Sequence, residues 1–217
     1  MRVKTHAVIF DMDGVITDTM PCHFRVWKEL FRREGIDVSH EDVYKREGQK
    51  GIDSVREIFT EHGRPYREEH ARALLKEKEQ RFKRVFRRRF ITGSRSFLRR
   101  LRGRGFKLAL VTGTSRHEAV QLLPPQLLGL FDVTVCGCEV QNGKPHPEPY
   151  LTALRKMGVA PGKAVVIENA PFGIRSAKAA GIRCLGIETS LPKTYLHQAD
   201  AVFHSFKDLG SRVRFEK

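Results

Sequence analysis

Two aspartates, Asp11 and Asp13, follow the apolar run "HAVIF" and are themselves followed by Gly14. One carboxylate could attack phosphorus, while the other protonates the leaving oxygen and later activates water. Gly14 frees the backbone to make the turn that brings both side chains to one point. The spacing therefore indicates covalent catalysis with an acid/base partner at the end of a buried strand.

Further polar side chains follow the later apolar runs of the chain. They are Thr112, Gly113 and Thr114 after "KLALV", Lys144 in "NGKPHPEPY", and Glu168 with Asn169 after "AVVI". Because ligands bind beyond the carboxyl ends of the strands in an open parallel sheet, we expect all of them at one rim. A nucleophile, an acid/base, a cation and hydrogen-bond donors together suit phosphoryl transfer to a carboxylate.

This set of side chains also predicts a divalent cation and a phosphate site. Asp11, Asp13 and Glu168 would repel one another without a cation, and Mg²⁺ prefers such oxygen ligands. The Thr112 hydroxyl and the amides of Gly113 and Thr114 at a helix start would bind phosphate oxygens. An Asp-x-Asp-Gly turn alone could belong to a calcium loop, but the order of the polar groups on successive strands favours phosphoryl transfer.

The elements that must position these residues alternate along the chain. Six β-rich runs lie at 6–10, 107–112, 132–136, 164–168, 183–188 and 201–204. Most are nearly continuous apolar runs, which is typical of a parallel sheet covered on both faces. Helix-compatible segments lie at 94–103, 115–123, 147–157 and 172–180. The alternation predicts a doubly wound α/β core.

Nearly a hundred residues separate the first two strands, which is far more than a crossover needs. Apolar residues at spacings of three and four predict four helices in this interval, at 21–34, 40–47, 51–62 and 67–89. We therefore predict a core of residues 1–17 and 92–217 and an inserted helical cap of residues 18–91. Ser94 is expected to cap the helix that returns the chain to the core.

The composition favours anionic partners. The 217 residues include 40 Lys+Arg and 25 Asp+Glu, a formal charge of +15, which would attract phosphate esters, nucleic acids or acidic membranes. The segment 64–104 contains 16 basic and four acidic residues. It has no zinc-finger spacing and no RNP-like aromatic signature. Nucleic-acid binding through this surface is therefore a lesser alternative.

The sequence contains no run of about 20 apolar residues such as a membrane span needs. The four cysteines, Cys22, Cys136, Cys138 and Cys184, do not form the dense pattern of secreted disulfide scaffolds. We expect reduced thiols, a cytoplasmic protein without membrane partners, and a monomer or weak dimer.

Four segments together resemble the motifs of a known family. "FDMDGVITDT", "VTGTS", "GKPHPEPY" and "VVIENAPFGIRSAKAAG" are similar to those of the haloacid dehalogenase superfamily, in its β-phosphoglucomutase and phosphoglycolate phosphatase branch. The resemblance covers essentially the whole chain and implies a Rossmann-like core with a helical cap. It also implies that Asp11 forms an aspartyl phosphate and that Asp13 is the general acid/base.

The resemblance further implies which residues hold the phosphoryl group and the metal. Thr112 and Lys144 would bind the phosphoryl group, with Met12, Gly113 and Thr114 beside it. Asp11, the Asp13 carbonyl and the acids of the fourth motif would hold Mg²⁺. The branch commonly has Glu-Asp in that motif, whereas this chain has Glu168 and Asn169. We therefore expect weaker Mg²⁺ binding than in a Glu-Asp relative.

The cap is expected to choose the substrate. His23, in a segment similar to the opening of β-phosphoglucomutases, could orient Asp13, test cap closure or merely pack at the hinge. Gly51 stands where that mutase carries an arginine for the distal phosphate, so Lys50 beside it, or Lys76 and Lys78 in the last cap helix, would have to supply charge. We predict a Mg²⁺-dependent phosphatase for a sugar phosphate or phosphoglycolate-like metabolite, and a β-phosphoglucomutase-type phosphotransfer enzyme as the alternative.

Overall fold

The computed structural model describes residues 1–217 and contains a six-stranded, all-parallel sheet. The strands lie in the order β4-β3-β2-β5-β6-β7. Their bounds are β2 (Ala7–Phe10), β3 (Lys107–Val111), β4 (Val133–Val135), β5 (Ala164–Glu168), β6 (Arg183–Ile187) and β7 (Ala201–Phe203). A separate parallel pair joins the two chain ends, β1 (Arg2–Lys4) and β8 (Arg214–Glu216).

The order of strands reverses at β2. From β2 the chain builds outward through β3 and β4, and then returns to pair β5 with the other side of β2. A crevice forms beyond the carboxyl ends of the strands at such a reversal. Asp11, the residue after β2, lies at this point.

Helices cover both faces of the sheet. They are α5 (Ser94–Gly103), α6 (Arg116–Leu122), α7 (Pro125–Leu128), α8 (Glu148–Met157), α9 (Pro171–Ala179) and α10 (Phe206–Arg212). Alternate residues of β2 enter different cores: Phe10 packs with Phe97 of α5 and Phe206 of α10, and Ile9 packs with Tyr150 of α8. Burial of both faces explains why these strands are apolar throughout.

The insertion between β2 and β3 contains four helices: α1 (Met20–Arg33), α2 (His40–Tyr44), α3 (Gly51–Glu61) and α4 (Glu68–Val85). They surround an apolar cluster of their own, which includes Phe31, Val55, Phe59 and Leu74. A core separate from those of the sheet is what a distinct small domain requires. The domain boundaries at residues 17 and 92 remain predictions.

The α/β fold with its parallel sheet is confirmed, and the six predicted strands agree with the structure to within one residue at each end. Ser94 is not the N-cap of α5: Gly93 holds that position at φ +85°, and the Ser94 hydroxyl donates to the Ile16 carbonyl 3.1 Å away. No pattern in the sequence predicted the pair β1–β8 or the helices α7 and α10.

None of the helices combines the length and apolar character needed to cross a bilayer. All four cysteines are free thiols.

Candidate active site

Asp11 lies in a buried ion cluster at the carboxyl edge of the sheet. Lys144 donates from Nζ to Asp11 Oδ1 at 2.6 Å and to Glu168 Oε1 at 2.7 Å, and all three side chains are about 1% exposed. Although burial opposes its charge, the two carboxylates raise the pKa of Lys144, so the ammonium form is retained. One cation from the loop after β4 therefore links the ends of β2 and β5.

The second oxygen of Asp11 has no partner. Asp11 Oδ2 is buried and accepts no hydrogen bond. Burial, with repulsion from Glu168 and Asp13, outweighs the attraction of Lys144 and raises the pKa of Asp11 to about 8. A further positive charge at Oδ2 would therefore favour the ionised, nucleophilic form.

Asp13 is surrounded by hydrogen-bond donors. Oδ1 accepts from the Thr19 hydroxyl at 2.5 Å and lies 3.4 Å from His23 Nε2, and Oδ2 accepts from the Thr114 hydroxyl at 3.1 Å. The Thr112 hydroxyl lies 3.5 Å from the same Oδ2. Burial alone would raise the pKa of Asp13, but the bonds from His23, Thr19 and Thr114 lower it to about 2. Asp13 is thus held as an ionised carboxylate.

His23 is a buried residue of the first cap helix. Its ring stacks on Phe82 with centroids 4.3 Å apart, so it both packs at the hinge and contacts Asp13. Burial and the nearby Lys78 ammonium lower the pKa of His23, against the opposing effect of Asp13. The ring is therefore neutral near pH 7, and its Nε2–H can donate to Asp13.

Three backbone N–H groups beside Asp11 bind nothing in the protein. They belong to Met12, Asp13 and Gly113. The Thr114 amide, predicted as a fourth donor, is already bonded to Thr112 Oγ1 at 3.0 Å, and the helix begins only at Arg116. Free N–H groups around a buried carboxylate form a cradle for phosphate oxygens.

The residues present fit a metal ion. Asn169 Oδ1 is buried without a partner, as Asp11 Oδ2 is, and the Asp13 carbonyl accepts no backbone hydrogen bond. Asn169 Nδ2 donates to Ser190 at 2.8 Å, which fixes the orientation of Oδ1. Gly14, at φ +81°, passes so close that a Cβ would lie 2.2 Å from Asn169 Nδ2. These three oxygens are hard donors that suit Mg²⁺.

Glu168 occupies a different position from the three free oxygens. It accepts four hydrogen bonds, from Lys144 and Tyr150 on Oε1 and from the amides of Asn169 and Ala170 on Oε2. No three His, Cys, Asp or Glu side chains converge as a metal cluster. The structure thus places Glu168 where it orients Lys144, and its role as a metal ligand stays a prediction.

The cap lies directly over this site. Gly48, at φ +78°, packs against Lys144 so closely that a Cβ would meet Lys144 Cδ at 2.5 Å. Lys50, predicted to bind substrate, instead donates from Nζ to the carbonyls of Val140 at 2.8 Å and Gln141 at 2.6 Å. Its long side chain therefore fastens the cap to the loop after β4 and is turned away from the catalytic aspartates.

A cavity of about 210 Å³ remains between cap and core. From the core it is lined by Gly113, Thr114, Ser115, Glu118 and Cys138, and from the cap by residues that include His23, Trp27, Glu47 and Lys78. The sequence interpretation missed Glu47, Thr19, Tyr150 and Ser190. Of these four residues, only Thr19 could have been expected from the sequence, because it lies six residues after Asp13, just beyond the turn.

A sequence profile described as haloacid dehalogenase-like hydrolase matches residues 5–181. The chain belongs to this hydrolase family. It is an enzyme of the phosphatase and phosphomutase group within the family, as the predicted resemblance had indicated.

Individual relatives cover nearly the whole of this haloacid dehalogenase-like hydrolase. A phosphorylated carbohydrates phosphatase of Thermotoga maritima is 35% identical over 191 residues, 85% of this chain and 86% of the relative. A β-phosphoglucomutase of Bacillus subtilis is 30% identical over 220 residues, 97% and 94% of the two chains. The structure described as a putative β-phosphoglucomutase from Bacteroides vulgatus superimposes with a TM-score of 0.86 at 33% identity, over 97% of this chain and 88% of that one.

Proposed function

We propose that this hydrolase is a Mg²⁺-dependent phosphatase that removes phosphate from a small phosphorylated sugar or related metabolite through an aspartyl-phosphate intermediate. The observation that carries the proposal is the environment of Asp11. A buried carboxylate with one free oxygen lies beside the Lys144 ammonium and three free N–H groups. That arrangement suits attack on a phosphoryl group and stabilisation of its charge.

In the first step a carboxylate oxygen of Asp11 forms a bond to phosphorus while the bond from phosphorus to the ester oxygen breaks. The Met12 and Gly113 amides and the Lys144 ammonium stabilise the charge that spreads over the equatorial phosphoryl oxygens. Lys144 also keeps Asp11 in position, because it holds Oδ1 at 2.6 Å. In the second step water attacks the aspartyl phosphate and releases inorganic phosphate and free Asp11.

Asp13 transfers the protons in both steps, first to the leaving oxygen and then from the attacking water. The negative charge of the bound phosphate raises the pKa of Asp13 from its low resting value, so that the carboxyl can carry a proton to the leaving oxygen. Once ionised, it accepts the proton of the attacking water. Thr19, His23 and Thr114 donate to Asp13 in the ionised state and thereby keep it in position for this second role.

The metal belongs to this proposal as well. Asp11 Oδ2, the Asp13 carbonyl and Asn169 Oδ1 would hold Mg²⁺, which when bound neutralises the negative charge shared by the carboxylates and the phosphate. Asn169 supplies a neutral oxygen where aspartate would supply a charged one. A correspondingly modest affinity for Mg²⁺ is part of the proposal.

Hydrolysis is favoured over mutase chemistry because glycine, Gly51, stands where the mutase carries an arginine, and Lys78 is the one cation lining the cavity without an ion pair. Leu75 fills the space beside Gly51, where a Cβ would lie 2.4 Å from its Cδ2. Lys50 is bonded to backbone carbonyls, and Arg46 is paired with Glu57 and Glu61. A phosphomutase must hold a bisphosphate in two orientations, and a lone lysine ammonium lacks the planar fork with which an arginine binds phosphate at two points.

Nucleic-acid binding through the basic segment is not favoured, because the matched relatives are phosphatases and mutases. Several of its arginines also have partners: Arg72 pairs with Glu68, Arg81 with Glu77, and Arg102 with Asp132. The free thiols suit a cytoplasmic location, which remains part of the proposal.

The test is a screen of phosphorylated sugars with Mg²⁺, following both phosphate release and conversion of β-glucose 1-phosphate in the presence of the bisphosphate. We expect phosphate release, with an Asp11→Asn variant inactive. Formation of glucose 6-phosphate with little free phosphate would establish the mutase instead. Substantial turnover by Asp11→Asn would contradict the covalent step.

A further inference from the structure

The charge of the cavity between cap and core is opposite to the charge of the protein. The protein carries a formal charge of +15. The charged side chains that line the cavity are Asp42, Arg46, Glu47, Lys78, Glu79 and Glu118. A basic enzyme for phosphate esters thus has a leaving-group cavity whose walls contain four carboxylates and two cations.

Ion pairs with residues outside the cavity increase the excess of negative charge inside it. Arg46 is neutralised outside the cavity by two glutamates, as described above, and Asp42 lies 3.5 Å from Lys45. The charges left in the cavity without an ion pair are three carboxylates, Glu47, Glu79 and Glu118, and one ammonium, Lys78. The Lys78 ammonium lies over the rings of Phe82 at 5.1 Å and Trp27 at 6.0 Å.

Glu47 is one of the carboxyl residues that line the cavity from the cap. It immediately precedes Gly48, which packs on Lys144, and the charges of Asp13 and Asp11 act on its carboxyl group. Burial and repulsion from these two aspartates raise the pKa of Glu47, and the attraction of the Lys78 ammonium opposes this rise. A group that brings positive charge into the cavity would relieve this repulsion, whereas a negative group would add to it.

We propose that the leaving group of the substrate carries a protonated amine, as on an amino sugar or amino alcohol phosphate, and that Glu47 binds this ammonium beside the catalytic aspartates. The proposal rests on the proposed phosphatase function and names its substrate class. It disfavours phosphoglycolate, whose carboxylate would meet Glu47. The small size of the cavity suits a leaving group well below the roughly 300–1,000 Å³ of pockets for drug-sized ligands.

Three two-carbon phosphates of nearly equal size test the inference: phosphoethanolamine, ethylene glycol monophosphate and phosphoglycolate. They differ only at the second carbon, which carries an ammonium in the first compound and a hydroxyl in the second, and is the carboxylate carbon in the third. We expect kcat/KM to fall in that order, with the amine at least about 10-fold above the hydroxyl compound, as for a close charge pair worth 1.4 kcal/mol or more. Glucosamine 6-phosphate against glucose 6-phosphate repeats the comparison on a sugar.

Glu47→Gln should remove the preference for the amine, because it retains the shape of the side chain and loses its charge. Glu69→Gln is the matched control, since Glu69 is exposed on α4 and does not line the cavity. Equal use of amine and hydroxyl compounds by the wild type, or preference for phosphoglycolate, would overturn the inference. Preference for the amine that survives in Glu47→Gln would overturn the assignment to Glu47.

Binding separates this inference from the proposed function. Calorimetric titration of Asp11→Asn protein with the three phosphates in Mg²⁺ measures the preference without turnover. If the amine binds most tightly but the wild type hydrolyses none of the three compounds, the ammonium site at Glu47 stands and the phosphatase proposal fails. If the wild type hydrolyses them without preference, the reverse holds. Failure of all three to bind would reject the inference.

Discussion

Lys144 Nζ lies 2.6 Å from Asp11 Oδ1, while Asp11 Oδ2 remains buried without a partner. The two oxygens of one carboxylate are thereby distinguished. One is held by the protein, and the other is left for chemistry that the protein alone does not complete. Glu168 keeps this arrangement in place, because it binds the same ammonium at 2.7 Å.

Lys144→Met should nearly abolish activity. The variant retains the length of the side chain but leaves Asp11 and Glu168 buried without their cation, so the pKa of Asp11 would rise further. We expect kcat to fall by about 10²–10³, as for loss of a group that stabilises transition-state charge. Breaking a buried pair should also cost about 3–5 kcal/mol of unfolding free energy, measured by denaturant titration.

The matched control for Lys144→Met is Lys178→Met. Lys178 is 40% exposed and pairs with Asp200 at 2.7 Å, far from the site. A surface pair contributes about 0–1 kcal/mol, so the control should keep its activity and nearly all of its stability. If both variants retain activity, Lys144 has no part in the reaction.

Asn169→Asp should tighten Mg²⁺ binding. The change places a negative charge at the buried oxygen Oδ1 and lets Ser190 donate to the new carboxylate. We expect the Mg²⁺ concentration for half-maximal activity to fall about 10-fold, as for 1.4 kcal/mol of added attraction. The melting temperature measured against Mg²⁺ without substrate gives a second readout.

Asn169→Ala is the opposite variant, since it removes the oxygen. It should need more Mg²⁺ than the wild type in both measurements. An Asn169→Asp protein that requires as much Mg²⁺ as the wild type would show that Oδ1 does not contact the metal.

The sequence predicted Asp11, Asp13, Thr112 and Lys144 together because each follows a strand, and parallel strands deliver their carboxyl ends to one edge. Glu47 was missed because the pattern predicted a helix over 40–47, whereas α2 ends at Tyr44 and leaves Glu47 in the short connection to α3, where helical spacing does not indicate which way a side chain points. The role of Lys50 in substrate binding stays a prediction for a related reason. Its flexible stem reaches either the cavity or the core loop, and only packing decides between them. Ser94 was shifted by one residue because Gly93 adopts a left-handed conformation that the sequence left open.

His23 predicts how stability depends on pH. Its folded pKa lies below the usual 6.5, so the unfolded chain takes up a proton that the folded protein does not. The contribution of His23 is therefore fully present above pH 6.5 and is lost as the pH falls towards the folded pKa. The wild type should lose more melting temperature between pH 7.5 and 5.5 than His23→Gln, by about 2–4 °C for each kcal/mol involved.

The difference between the two proteins isolates His23, because carboxyls such as Glu47 titrate in both. His62→Gln is the control, since His62 is exposed at the end of α3. Its acid sensitivity should match that of the wild type. Parallel curves for wild type and His23→Gln would mean that burial does not disfavour the charged form of His23.

Lys50→Met tests whether Lys50 fastens the cap or binds substrate. Loss of its bonds to Val140 and Gln141 should favour the open cap by roughly 1.5–3 kcal/mol at most, as for hydrogen bonds from a charged donor. KM should then rise for every substrate by a similar factor, because only the closed population completes the site. Lys83→Met, on an exposed residue of the same cap that does not line the cavity, should leave KM unchanged. A rise confined to substrates with a second negative group would instead restore Lys50 to the substrate site.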